Sequence, residues 1–230
     1  MYNISTKFKP AIIATITSIG LILSASASAG HEDKVKPGKP GEGTAAGIDY
    51  PGLNIVEIAS AVNSELGEFT NLLAAVACFD DPQTGDNPII DLLSGSDKYT
   101  LFAPVDTAFA ALLARLSDLE GVEITDPCAL ADENGQPLLT VLQYHVVDGR
   151  RFSNSVFNSN SSKEIETLAG ADIVSTTMTG PTLHDVDGQA VHVVPGLFNI
   201  NALNGVIHVV DTVLLPIDLP GPDEGLSLIH

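Results

Sequence analysis

The side chains whose types and spacing best suit chemistry in this 230-residue chain are four histidines, His145, His184, His192 and His208, and one acidic pair, Asp185 and Asp187. Neutral imidazoles are common zinc ligands, and closely spaced carboxylates hold calcium. His184 and His192 flank a proposed hairpin and would face one another across it. They give two ligands at most unless His145 or His208 lies near. That spacing matches no zinc pattern, so no metal is expected. Asp185-Val-Asp187-Gly188 lacks the other oxygen ligands and the terminal Glu of an EF-hand loop. Asp187-Gly188 reads better as a tight turn between Thr182-Leu-His-Asp-Val186 and Ala190-Val-His-Val-Val194. The mature sequence has no Gly-x-Ser-x-Gly elbow, no His-Glu-x-x-His helix and no glycine-rich phosphate loop. An enzyme is not expected, nor is a cofactor.

Binding is better represented than catalysis. Tyr144 and His145 stand beside Arg150-Arg151, the only adjacent basic pair in a very acidic chain. Two readings of Tyr144-His145 stand together: a link from a helix end to the next strand with its imidazole satisfied inside the fold, or a contact site with Val146 and Val147. The arginine pair marks an electropositive edge and the best candidate contact. Cys78 and Cys128 are the only cysteines. In an exported protein an even pair is most simply a disulfide. It would close a loop of about fifty residues, worth about 4 kcal/mol in the chain-entropy model.

These groups need elements to position them. Ile55 to Val62 and Glu68 to Ala77 place apolar residues three and four apart, the spacing of a buried helical face. Tyr99 to Ala103 reads as a buried strand stopped by Pro104, with Asp106 or Thr107 accepting a backbone N–H at the start of a helix through Ala108 and Phe109. Another helix covers Leu138 to Tyr144. Strands follow at Ile165–Leu168, Asp172–Thr176, Thr182–Val186, Ala190–Val194 and Val206–Leu215. Helices first and strands later predict an α+β domain and not a parallel βαβ sheet.

Composition bounds the setting. Lys7 and Lys9 precede an apolar run from Ala11 to Leu23, and Ala27-Ser28-Ala29 offers a cleavage pattern, so residues 1–29 read as a signal peptide. The competing reading, a membrane anchor, is weakened because the run is shorter than the roughly 20 residues a span needs and is interrupted by Thr15, Thr17 and Ser18. Residues 30–47, rich in Gly, Pro and charge, read as a flexible linker. Residues 48–219 form one domain, and 220–230 a polar tail with no hydrophobic anchor. Cleavage removes two of 10 basic residues and none of the 29 acidic ones, leaving 8 − 29 = −21. Such a charge disfavours nucleic acid and anionic lipid. A secreted protein, extracellular or periplasmic, is expected. Asn160-Ser-Ser162 is a glycosylation sequon that has meaning only in a eukaryotic secretory pathway.

Three motifs carry a family resemblance. Tyr99-Thr100-Leu-Phe102-Ala103-Pro104-Val105-Asp106-Thr-Ala108-Phe109 resembles the first signature of fasciclin-like domains, with Val105 where the family usually has Thr. Leu142-Gln-Tyr144-His145-Val146-Val147-Asp-Gly149 resembles the central segment. Asn204-Gly205-Val-Ile-His208-Val-Val-Asp211-Thr-Val-Leu-Leu215-Pro216 resembles the second signature almost residue for residue. The resemblance covers Asn54 to Pro216. It implies a β-wedge or sandwich packed with several α-helices, found in secreted or surface proteins that mediate adhesion to cells, matrix or polymers. It also implies a contact role for the Tyr144-His145 region, since animal members bind integrins partly through it. The resemblance leaves a second possibility: an extracellular carrier of a small apolar ligand, a pigment or lipid, held in a helix–sheet cleft.

Overall fold

The structure, a computed structural model, describes residues 50, 52–81, 83–131, 137–157, 162–177 and 180–217. The expected signal peptide, the whole of the linker, Asn160 of the sequon and the polar tail lie outside those residues.

Helix α1 (Ile55–Leu66) begins at a capping box. The Asn54 side chain accepts from Glu57 N, and the Glu57 carboxylate accepts from Asn54 N, so two otherwise unpaired donors are satisfied reciprocally. Gly67, at φ 70°, ends the helix in the left-handed region that glycine adopts without strain. Helix α2 (Thr70–Ala77) follows, and α3 (Pro88–Ser94) starts from Asn87, whose side chain caps Ile89 N and Ile90 N. Strand β1 (Tyr99–Pro104) leads into α4 (Asp106–Glu120), and α5 (Leu138–Tyr144) into β2 (Val146–Asp148). A single helical turn, α6 (Ser153–Val156), precedes β3 (Lys163–Glu166), β4 (Asp172–Thr176), β5 (Thr182–His184), β6 (Ala190–His192), β7 (Ile200–Ala202) and β8 (Gly205–Val210).

The strands form two four-stranded sheets, ordered β2-β1-β8-β7 and β3-β4-β5-β6. The second is an antiparallel meander. Beyond β6 the chain crosses to the first sheet: Val193 bridges Val210, Val194 N donates to Val209 O, and Asp211 N donates to His192 O. The sheets therefore join along β6 and β8 as a wedge. Alternation along β1 divides the interior in two. Tyr99, Leu101 and Ala103 join Ile207 and Val209 in a core with the helices, whereas Phe102 and Val210 join Tyr144, Ile173 and Leu183 in a core with the second sheet.

The α+β expectation holds, with two corrections of detail. β1 and β8 pair in parallel, Tyr99 opposite Gly205 through Pro104 opposite Val210, so the two signature segments are neighbouring strands. A second correction concerns Asp106, which does not cap its own helix. Val105 occupies that N-cap without a side-chain bond, consistent with the absent threonine hydroxyl. The Asp106 carboxylate instead accepts Asn71 N at 2.7 Å, tying α2 to α4. Cys78 and Cys128 form the expected disulfide, with their Cα atoms 5.6 Å apart.

Candidate functional site

Tyr144 to Val147 sit where the helices meet both sheets. Apolar residues at 138, 141 and 142 hold α5 against the core, and this fixes where its C-terminus delivers the next four side chains. All four are buried, with relative exposures of 0%, 2%, 1% and 0%. They are therefore not a contact surface in this fold, which corrects their place among the partner-binding candidates. The Tyr144 hydroxyl donates to Asp172 O at 2.7 Å. His145 Nδ1–H donates to Val141 O at 2.7 Å, and its Nε2 accepts Leu214 N at 2.9 Å. The ring thus joins the end of α5 to the segment after β8.

His208, on β8, is the second buried imidazole and has the opposite tautomer. Its Nε2–H donates to Arg151 O at 2.8 Å, and its Nδ1 accepts Asn199 N at 3.4 Å. The ring stacks on Phe102, its parallel partner, at 5.6 Å between centroids. Burial pushes both imidazoles down to about 4, against a smaller opposing effect from the backbone carbonyl each one faces. Both are neutral across ordinary pH and serve as structural links.

His184 and His192 do not face each other. Thr182 lies opposite His192 and Ala190 opposite His184. Each imidazole instead approaches a threonine hydroxyl, His184 that of Thr176 at 3.4 Å and His192 that of Thr182 at 3.3 Å. Among the described residues no group of three or more His, Cys, Asp or Glu is placed to hold a metal. The hairpin turn falls one residue earlier than expected, with Gly188 N donating to Asp185 O across Val186 and Asp187 in a five-residue loop. Its carboxylates already have partners. Asp185 accepts Gln189 N and Leu215 N, both at 2.9 Å, while Asp187 pairs with Arg115 at 2.5 Å.

The second signature supplies the other fixed point. Asn204 Oδ1 accepts Ile55 N, and its amide donates to Leu93 O and Gly95 O, so one side chain joins α1, the end of α3 and the β7–β8 turn. Gly205 has no room for a side chain: a Cβ there would lie 2.2 Å from Tyr99 O and 2.5 Å from Ile55 Cδ1. Thr100, Asp106, Asn204 and His208 of the two signatures are thus engaged within the fold. Thr100 Oγ1 donates to Gly149 O and accepts Arg151 N, which holds the chain after β2 along the edge of β1.

That chain carries Arg150 and Arg151 to the surface. Lys98, Arg115, Arg150, Arg151 and Lys163 are the five basic residues among those described. Lys98 Nζ donates to Leu203 O, and the Arg150 guanidinium to Asn201 Oδ1, Ala202 O and Gly205 O, so both cations clasp the β7–β8 turn. Arg150 is exposed, whereas Arg151 is half-buried and donates Nε to Asp148 O. Leu203 and Phe152 are exposed beside them, at 62% and 39%. Sequence alone singled out Arg150 and Arg151 but missed Lys98 and Leu203. A pairing between β1 and the β7–β8 turn, some hundred residues apart, brings those two to the same edge.

A fasciclin domain model matches residues 67–216. Protein sll1483 of Synechocystis sp. is 32% identical over 164 residues, covering 71% of this chain and 74% of that protein. Immunogenic protein MPB70 of Mycobacterium bovis is 30% identical over 211 residues, covering 88% of this chain and 92% of that protein. A solved FAS1 domain pair from the insect cell adhesion molecule Fasciclin I aligns with a TM-score of 0.44 at 16% identity, over 63% of this chain and 45% of that one. The family match runs from the end of α1 to the proline after β8 and takes in both paired signature strands, and the chain belongs to the fasciclin domain family.

Proposed function

We propose that this chain is an exported, non-enzymatic adhesion module that holds a cell-surface or matrix partner, protein or polysaccharide, through the edge formed by Lys98, Arg150, Arg151, Phe152 and Leu203. The observation that carries this reading is the gathering of three of the five described basic residues, with two exposed apolar side chains, at one edge of a chain whose net charge is −19. Acidic groups on a partner are repelled by most of such a molecule and steered to its basic exception. Exposed Asp148 lies within the edge, so the attraction is local and salt-sensitive.

The carrier reading rests on an apolar cleft among α1, α2, α3 and β1, lined by residues that include Ile55, Leu72, Ile89, Leu93 and Val146. The cleft encloses about 40 Å³. One water takes ~30 Å³ and a drug-sized ligand needs ~300 Å³ or more, so a pigment or lipid would enter only after the helices moved apart. The surface reading is therefore the better one.

Retention of heparin, polygalacturonate and collagen by the immobilised full chain, at low and high salt, tests it. At least one acidic polymer or matrix protein is expected to be held at low salt, with retention lost in Arg151→Glu. Equal retention by both forms, or none at all, overturns the edge as the contact site. A coloured or lipid extract from natively purified protein would instead support the carrier.

A further inference from the structure

At the opposite end of β8 from the basic edge, α4, the β5–β6 loop and the segment after β8 enclose a pocket of about 200 Å³. Five steps of ~3.3 Å along the six residues of β8 put its two ends about 17 Å apart. The pocket exists because α4 turns Ala108 and Ala111 toward it, where larger side chains would have closed the gap. Buried Leu112, Val213 and Leu215 line its apolar part.

The polar lining is mixed and held in place. Arg115 is fixed by Asp187, whose side chain is 1% exposed. Gln189 is held by Asp185, which accepts its backbone N–H at 2.9 Å and, more loosely, its side-chain Nε2–H at 3.5 Å. Asp211 Oδ1 accepts His192 N at 2.8 Å and the Thr212 hydroxyl at 3.0 Å. Side chains anchored before a ligand arrives lose little freedom when it binds.

The size and the chemistry narrow the ligand. At ~30 Å³ per water the space holds about six waters, the scale of one sugar ring and well below a drug-sized site. Asp211 supplies a carboxylate that disfavours anions, and the Asp187 carboxylate is matched by Arg115. A neutral polyol both donates and accepts hydrogen bonds, matching a wall of Asp, Gln, Thr and Arg, while its C–H face suits the aliphatic part. Among the described residues no aromatic side chain lines the pocket, so affinity should be weak.

We infer that this pocket is a binding subsite for a single neutral hexose residue, such as one unit of a glycan or polysaccharide chain. It is separate from the basic edge. A chain that holds one partner at Arg151 and a sugar here would bridge two partners through one domain.

The test is an amide NMR titration of the full chain with glucose, galactose, mannose and N-acetylglucosamine, each in millimolar excess, with glucuronate as the charged comparison. The expected result is a saturable shift with at least one neutral sugar, confined to amides at Ala108, Ala111, Gln189, Asp211 and Thr212, and weaker with glucuronate. It should vanish in Ala111→Leu, which fills the pocket, and shrink in Gln189→Ala, which leaves the apolar part intact. No saturable shift with any of the four sugars overturns the subsite. So does a shift that survives in both variants. Because the readout is local and Arg151→Glu leaves it untouched, failure here is distinct from failure of polymer retention at the edge.

Discussion

Tyr144 to Val147 and Arg150 to Arg151 lie within eight residues of one another, yet they do opposite work. The first four side chains are buried, and two of them bond to backbone atoms of other elements. Arg150 is exposed and closes the β7–β8 turn, and half-buried Arg151 makes its one side-chain bond at the surface. The most conspicuous motif of the central segment thus reports how the domain holds together, and the less conspicuous pair beside it is the part a partner can reach. Residues that recur in a family signature can do so because folding needs them.

That contrast can be broken by substitution. The largest effect should come from Gly205→Ala, whose Cβ would meet backbone Tyr99 O at 2.2 Å and force the first parallel pair of β1 and β8 apart. Loss of about 4 kcal/mol or more, or failure to fold, is expected in a denaturant titration. A variant within about 1 kcal/mol of the parent would show that this end of the sheet is not tightly closed. Next comes His145→Ala, which strands Leu214 N–H inside the protein and leaves a void. A cost of about 3 kcal/mol follows from the lost bond and the cavity together.

Acid should erode the interior and spare the edge. Both buried histidines have folded values near 4, below the 6.5 of an exposed imidazole. Between those values the unfolded chain binds more protons than the folded one, so stability is complete above pH ~6.5 and falls as pH drops toward ~4. Asp185, raised by burial, contributes with the opposite sign. Unfolding curves at a series of pH values should show this decline, and His145→Ala should flatten it. A profile level from pH 7 to 4 would mean that the rings are not buried as neutral species.

The smallest change in stability belongs to Arg151→Glu. Its one side-chain bond is at the surface, and such substitutions usually stay within about 0.5 kcal/mol. A shift above about 2 kcal/mol would place Arg151 with the structural residues, and the division between interior and edge would fail.

The fold was legible where a pattern is local. The helices α1, α2 and α5, the strand signals of the meander and the hairpin that joins β5 to β6 all appear in the sequence and in the structure. Helix α3 was missed although Asn87-Pro88 announces it, because seven residues give too little periodicity to weigh. Strand β7, three residues long, is below what alternation can reveal. What sequence could not show is register. The parallel pairing of β1 with β8, the offset that separates His184 from His192, and the reach of Asp106 to another helix each depend on segments brought together from a distance. The same limit hid half of the candidate site: Arg150 and Arg151 are adjacent in sequence, but Lys98 and Leu203 join them only through the folded sheet.

The most direct test of the account is the pH titration of the His145 and His208 ring protons by NMR, assigned by single substitution. Neutral, buried links should hold their chemical shifts from pH 8 to about 5 and change only as pH approaches about 4. A reversible titration of His145 near 6.5 with the fold intact would place that ring in solvent, restore Tyr144-His145 as a contact surface, and contradict the division on which the proposed function rests.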